Sequence, residues 1–185
     1  MAMNLMVSAE LPSTQPVLFA TGSCSLGSIL VACRGTGVLA ISLADTADEL
    51  VETLKRRFPQ AAPGDLKLQC GRALRGAVQL VERPDNPFPL PILLDGTKFQ
   101  QMVWRALQGI PCGTTVSYRE LACRLERPRA VRAVASACAA NQIAIAVPCH
   151  RVLRSDGSVS GFRWGVSRKI ALLRREAALA QRFGS

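Results

Sequence analysis

The sequence predicts an α/β N-terminal half followed by a mainly α C-terminal half that carries a helix-turn-helix pair. Three observations predict this: short apolar runs broken by glycine turns at the start of the chain, a proline-rich stretch near its middle, and helical periodicity with capping signatures beyond it. The apolar runs at 17–20, 28–33 and 38–43 are separated by TGSCSLGS and RGTG, the pattern of an antiparallel meander. Two amphipathic helices are expected next. The first, near 47–58, places Leu50, Val51, Leu54 and Phe58 on one face; the second, near 70–81, does the same with Leu74, Val78 and Val81. This half lacks histidine and its acids and bases follow no pattern that points to chemistry, so its expected role is support.

The stretch RPDNPFPLP holds four prolines in nine residues and cannot continue a helix, which makes it the expected connection between domains at 1–92 and 93–185. Beyond it, Thr97 with Gln100 and Ser117 with Glu120 have capping-box spacing. The helix after Thr97 carries an apolar stripe of Phe99, Met102, Val103, Ala106 and Leu107. Two more helices, 117–124 and 128–140, are separated by only Leu125 to Arg127, which is helix-turn-helix spacing. In the second of them Val131, Val134, Ala135 and Cys138 form an inner stripe, while Arg129, Arg132 and Ser136 share an outer, basic face. Its many alanines leave little bulk between backbone and a docked surface. Taken alone, the pair fits either nucleic-acid binding or ordinary packing on a core.

Charge bears on that choice. From Lys98 onward there are 15 Lys or Arg against Glu120, Glu126, Asp156 and Glu176; residues 1–97 carry eight basic against nine acidic residues. A positive excess confined to one half suggests a polyanion partner, though a solvated basic surface would read the same way. The N-terminal MAMNLMVSAELPS lacks the basic start and apolar run of a secretory leader, and no segment reaches membrane-spanning length, so a cytoplasmic chain is expected. Seven scattered cysteines fit reduced, mostly buried thiols better than a disulfide framework.

The run Asn141-Gln-Ile-Ala-Ile-Ala-Val-Pro-Cys-His-Arg-Val152 contains the single histidine, directly after a cysteine. One histidine without CxxC or HxxxH spacing cannot supply the ligands of a zinc site, so no metal and no cofactor is expected. The role with a mechanism is nucleophilic: His150 promotes loss of the Cys149 proton, and the thiolate reacts. The alternative is a buried structural cysteine beside an unrelated histidine. Neighbouring residues on a regular strand face opposite ways, so cooperation requires a turn or a bridging water.

Val147-Pro-Cys-His-Arg-Val152 resembles the PCHRV acceptor motif of the O6-alkylguanine-DNA alkyltransferases, and AVRAVASACAAN with SGFRWGVSRKIALLRRE resembles the bacterial Ada and Ogt type of that family. The likeness spans about residues 93–177 and continues more weakly over 17–90. It implies a ribonuclease-H-like N-terminal support domain and a winged-helix-like C-terminal domain that binds DNA and accepts the alkyl group. It also implies roles. Cys149 is the acceptor, His150 the base acting through a water, Glu176 the carboxylate that orients the imidazole, and Asn141 the hinge asparagine between recognition helix and acceptor segment. Leu172 and Leu173, four and three residues before Glu176, make a partly buried carboxylate reasonable there. By the same resemblance Arg132 fills the stack after a guanine is flipped out, and Tyr118 crowds the 3′ phosphate and donates to guanine N3. Arg129, Ser136 and Ser155 contact DNA, and Val152, Phe162, Arg163 and Trp164 line the pocket.

The implied reaction is a single, irreversible transfer from O6 of guanine, and O4 of thymine, to Cys149. The partner is double-stranded DNA carrying O6-alkylguanine, bound by a monomer. Two departures matter: Phe162 stands where the family commonly has tyrosine, and the bulk of Trp164, glycine in some relatives, narrows the pocket. A lesion-marking relative without repair activity is the alternative, but such proteins lack the acceptor cysteine; a cysteine hydrolase or a dimeric gene regulator finds no oxyanion hole or dimer signal. The Met1 start and the full N-terminal half lead us to expect a whole gene product rather than one domain of a longer chain.

Overall fold

The computed structural model describes residues 15–183, so the N-terminal segment from which no secretory leader is expected lies outside the described residues. The chain divides into two compact units between Leu94 and Asp95. In the first unit β1 (Val17–Cys24), β2 (Gly27–Arg34) and β3 (Gly37–Ala44) form the antiparallel meander, with β4 (Ala62–Pro63) added parallel to β1, giving the order β3-β2-β1-β4. The strands run further than the apolar runs suggest: most of TGSCSLGS is paired strand, and only Ser25 and Leu26 turn.

Strand β2 is buried without alternation from Ile29 to Cys33, because both faces of the sheet are covered. On one face α1 (Ala47–Arg57) lays Leu50 and Leu54 against Phe19, Leu30 and Ala32. On the other, α2 (Gln69–Glu82) packs so closely that a Cβ on Gly22 would lie 3.2 Å from Leu74. The buried face of α2 differs from the expected one: Cys70, Ala73, Ala77, Leu80 and Val81 are buried, whereas Leu74 and Val78 are only half-buried. Small residues on that face let the helix approach the sheet closely, which an apolar-stripe reading built on large side chains misses. The end of the proline-rich stretch is itself extended, with Val38 bonded to the Pro91 carbonyl and Leu93 to the Val38 carbonyl, both at 2.9 Å.

The second unit holds α3 (Lys98–Gln108), α4 (Tyr118–Arg124), α5 (Val131–Ala139) and α6 (Val166–Phe183), with two-residue strands β5 (Val116–Ser117) and β6 (Val152–Leu153) paired in parallel. Both expected capping boxes form, with Thr97 and Ser117 each exchanging side-chain and backbone bonds with the residue three further on. On α3 the buried residues are Val103, Trp104 and Leu107, and the Trp104 indole donates to the Ala137 carbonyl of α5 at 2.8 Å. Phe99, Met102 and Ala106 of the expected stripe are half-buried.

Helix α5 begins at Val131 rather than 128, since Pro128 to Ala130 belong to the turn. Its buried residues are Val134, Ala137 and Cys138, while Arg129, Arg132 and Ser136 are exposed. The turn after α4 closes with Glu126 bonded to the Cys123 carbonyl and Arg127 to the Ala122 carbonyl, a Schellman motif whose left-handed position is Glu126 at φ 57°. Glycine is the residue suited to that conformation. Glu126→Gly is therefore expected to raise stability by about 1 kcal/mol, roughly 2–4 °C in Tm, measured by thermal unfolding; a fall in Tm would refute it.

Cys33, Cys70, Cys138 and Cys149 are buried, Cys24 and Cys112 half-buried and Cys123 exposed, all as free thiols. Among the described residues no helix is long and apolar enough to cross a membrane.

Candidate functional site

The site is built on the segment between α5 and β6. Asn141 follows the C-terminal cap of α5 and is buried; its side-chain oxygen accepts from the Ile143 N–H at 2.9 Å. Its amide nitrogen donates to the Val147 carbonyl at 2.8 Å, to the Ile143 carbonyl at 3.3 Å and to the Cys149 sulfur at 3.3 Å. One side chain thus closes the loop and touches the nucleophile. The loop needs such a brace, because Ile145 is held at φ 67°, a left-handed conformation that a β-branched residue strongly resists.

Cys149, His150 and Arg151 form a single 3-10 turn rather than a strand, so their side chains diverge around an axis. All three are buried. His150 is wholly enclosed, and its Nε2 lies 2.7 Å from Glu176 Oε1 on α6. Arg151 donates to the same carboxylate through Nε and Nη2 at 2.9–3.1 Å, while its Nη1 donates to the Ile110 carbonyl at 2.6 Å. The Gly113 N–H completes the set, reaching Glu176 Oε2 at 3.0 Å. Glycine is required there, since φ is +78° and an added Cβ would meet Ala180 at 2.9 Å.

Electrostatics follow from this packing. Burial pushes the Glu176 carboxyl up, but its hydrogen bonds from His150 and Arg151 outweigh that and hold it down at about 2. Burial lowers His150 despite the carboxylate beside it, so the imidazole is neutral. An ionised carboxylate can only accept, which puts the imidazole proton on Nε2 and leaves the Nδ1 lone pair, buried and without a hydrogen-bond partner among the described residues, as the basic atom. Burial raises Cys149 to about 11, opposed by the Asn141 hydrogen bond, Lys169 and Arg163. The resting residue is a thiol beside groups that favour its anion.

A second polar chain borders the first. Tyr118, the first residue of α4, is half-buried with its hydroxyl 2.7 Å from Ser160 Oγ. Lys169 of α6, wholly buried, donates to the Val152 carbonyl at 2.7 Å and to Ser160 Oγ at 3.3 Å. Burial lowers the Lys169 ammonium, with Cys149 and Cys138 pulling the other way. Val152 is buried and paired with Val116. Phe162 bridges to His150 edge-on at 6.4 Å between centroids and to the buried Trp164 at 5.0 Å.

Thus Cys149, His150, Glu176, Asn141, Phe162 and Trp164 form one cluster, and Tyr118 and Val152 join the lysine chain. Arg129, Arg132, Ser136, Ser155 and Arg163 are exposed and make none of the hydrogen bonds above. Sequence reasoning misses Arg151, Gly113, Lys169 and Ser160. Lys169 carried a signal, since it shares a helical face with Leu172 and Glu176 at spacings of three and seven. Among the described residues no group of three or more His, Cys, Asp or Glu is arranged to hold a metal ion.

A family profile described as the 6-O-methylguanine DNA methyltransferase DNA binding domain matches residues 98–178. The chain is 51% identical over 168 residues to the bifunctional transcriptional activator and DNA repair enzyme Ada of Escherichia coli, a match covering 90% of this chain and 47% of that protein. It is 40% identical over 130 residues to the inducible methylated-DNA–protein-cysteine methyltransferase of Bacillus subtilis, covering 68% of this chain and 70% of the relative. In structure it is similar to Mycobacterium tuberculosis OGT in complex with DNA, with a TM-score of 0.74 at 31% identity, covering 86% of this chain and 92% of that one. The chain spans about half the length of Ada and of several other curated relatives.

Proposed function

The chain belongs to the methylated-DNA–protein-cysteine methyltransferase family, and on that premise we propose that it takes methyl or other small alkyl groups from DNA onto its own Cys149. The substrates are O6 of guanine and O4 of thymine in double-stranded DNA. The observation that carries this reading is the buried Cys149 on a turn whose next residue, His150, is anchored by an ionised Glu176.

The target atom of a stacked guanine is out of reach inside a duplex, so the nucleotide is rotated out first. The exposed face of α5, with Arg132 and Ser136, lies in the minor groove beside Arg129 of the preceding turn; Arg132 takes the vacated place, Ser155 contacts the backbone, and Tyr118 crowds the 3′ phosphate. His150 Nδ1 draws the Cys149 proton through a water, because side chains on a tight turn diverge. The thiolate attacks the alkyl carbon, and the electron pair of the C–O6 bond passes into the purine, to whose N3 Tyr118 gives a proton. The thioether is stable, so each molecule acts once. In this reading residues 1–92 support and 93–185 bind and react, as a monomer in the cytoplasm.

Intact mass tests the proposal. After mixing with a duplex holding one O6-methylguanine, the protein gains one methyl group mapped to Cys149, while Cys149→Ser gains none. An unchanged mass with DNA still bound means a lesion-marking protein instead. Because Trp164 is buried against Phe162, whose ring meets His150, room for a large adduct is restricted. Free O6-benzylguanine is accordingly expected to inactivate the protein slowly; loss of all methyl-accepting capacity within the time of methyl transfer would sink this expectation.

A further inference from the structure

Two thiols of the first unit take no part in the transfer chemistry. Cys33 lies on β2, between β1 and β3 in the sheet, and Cys70 is the second residue of α2; each is 2% exposed. One comes from the sheet and the other from the helix packed on it, and their sulfurs are within hydrogen-bonding reach. The backbone places them together independently. Leu18 of β1 is the direct cross-strand partner of Cys33, so these two side chains share a face of the sheet. A Cβ on Gly64 would meet the Cβ of that same Leu18 at 3.2 Å, the Cys70 sulfur at 2.7 Å and the Cys70 Cβ at 3.1 Å.

A single buried cysteine only fills space, as a small apolar side chain does. Two sulfurs in contact across a helix and a sheet offer a bond between the two elements. We propose that Cys33 and Cys70 are a redox-active pair, oxidised to a disulfide by low-molecular-weight disulfides of the glutathione type, which clasps the start of α2 to the middle of the sheet. The reduced pair is the state of this structure. Closing the bond ties residues 33–70 into a loop and so removes freedom from the unfolded chain.

Cys70 attacks first. It lies in the first turn of α2, where free backbone N–H groups favour an anion, and the capping residue Leu68 makes no side-chain bond to hold that turn closed. Cys33 sits on an inner strand, and burial with Cys70 beside it pushes its thiol up. The Cys70 thiolate bonds to one sulfur of the small disulfide, whose S–S bond breaks; the thiolate released takes the Cys70 proton. As the turn recloses, Cys33 attacks the Cys70 sulfur and expels the second small thiolate, which takes the Cys33 proton. Two protein thiols lose two electrons and two protons, and one small disulfide becomes two thiols.

The test incubates the folded full chain with oxidised glutathione, quenches with acid, blocks free thiols by alkylation and maps every cysteine by mass after digestion. The expected product is a Cys33–Cys70 crosslink, two hydrogens lighter than the separate peptides and lost again with dithiothreitol. Cys33→Ala is expected to stop at glutathione held on Cys70. The oxidised parent protein is expected to unfold about 5–10 °C above the reduced one, a rise that Cys33→Ala does not show. A parent protein in which both thiols stay free while the exposed Cys123 carries glutathione overturns the proposal. So does one that keeps glutathione on Cys70 without passing to the crosslink, a crosslink that forms only in urea, or a crosslink that leaves Tm unchanged or lowers it. All four readings are made on the parent protein, so the outcome does not depend on how the variant folds.

Discussion

Glu176→Gln is expected to cost about 3–5 kcal/mol in urea unfolding, the usual range for breaking a buried ion pair from one side. The carboxylate accepts from the His150 ring, from two Arg151 nitrogens and from the Gly113 N–H. A carboxamide brings one oxygen and a donor NH2, which faces His150 and Arg151 Nη2 if it replaces Oε1 and Arg151 Nε and the Gly113 N–H if it replaces Oε2, so either way the guanidinium loses part of its acceptor and all of its counter-charge. The imidazole also loses the group that fixes its proton on Nε2, and methyl transfer is expected to slow by about 100-fold or more. Acid stability carries a second signature. The folded state holds Glu176 at about 2 and keeps His150 below its ordinary value, so at both groups the unfolded chain binds more protons. The parent protein should lose stability as pH falls below 6.5, through His150, and further from 4.5 towards 2, through Glu176. In Glu176→Gln the second limb should flatten; an unchanged acid profile, or a loss below 1 kcal/mol, would refute the account.

Asn141→Ala is the second large effect. It strands the Ile143 N–H and the Val147 carbonyl inside the protein, at about 1–3 kcal/mol each, so a loss of about 3 kcal/mol is expected. The strained turn at Ile145 loses its brace at the same time, and the Cys149 sulfur loses its donor. Asn141→Asp should not rescue, because a carboxylate would face the Val147 carbonyl and the sulfur with no proton to give. Thermal unfolding and single-turnover transfer check both variants; near-parent behaviour of Asn141→Asp would show that the donor side of this residue is dispensable.

These two residues also mark where sequence reading succeeds. The capping boxes at Thr97 and Ser117 are legible because their partners lie three residues away, within reach of a local rule. Cys149, His150 and Glu176 are legible through a resemblance, and the helical neighbours of Glu176, Leu172 and Leu173, make its burial reasonable. Arg151 and Gly113 are not, because they meet Glu176 across 25 and 63 residues of chain. Lys169 is hidden differently: its spacing points inward, but lysine is the residue type a stripe analysis assigns to solvent. The two-residue strands β4, β5 and β6 are too short for any periodicity, and the buried side of α2 is written largely in alanine, glycine and cysteine, with large apolar residues only at its end, Leu80 and Val81.

Helix α6 carries both Lys169 and Glu176 on its enclosed side, seven residues apart, hence about 10 Å along the axis. One grips the Val152 carbonyl, the other the His150 ring, so the helix works as a ruler against which the acceptor turn is measured. A single residue added or removed between these two anchors would swing one of them through about 100° and break the gauge. The exposed turn around Asp156 and Gly157 holds neither anchor, and a change of length confined to it would leave the spacing of Lys169 and Glu176 intact.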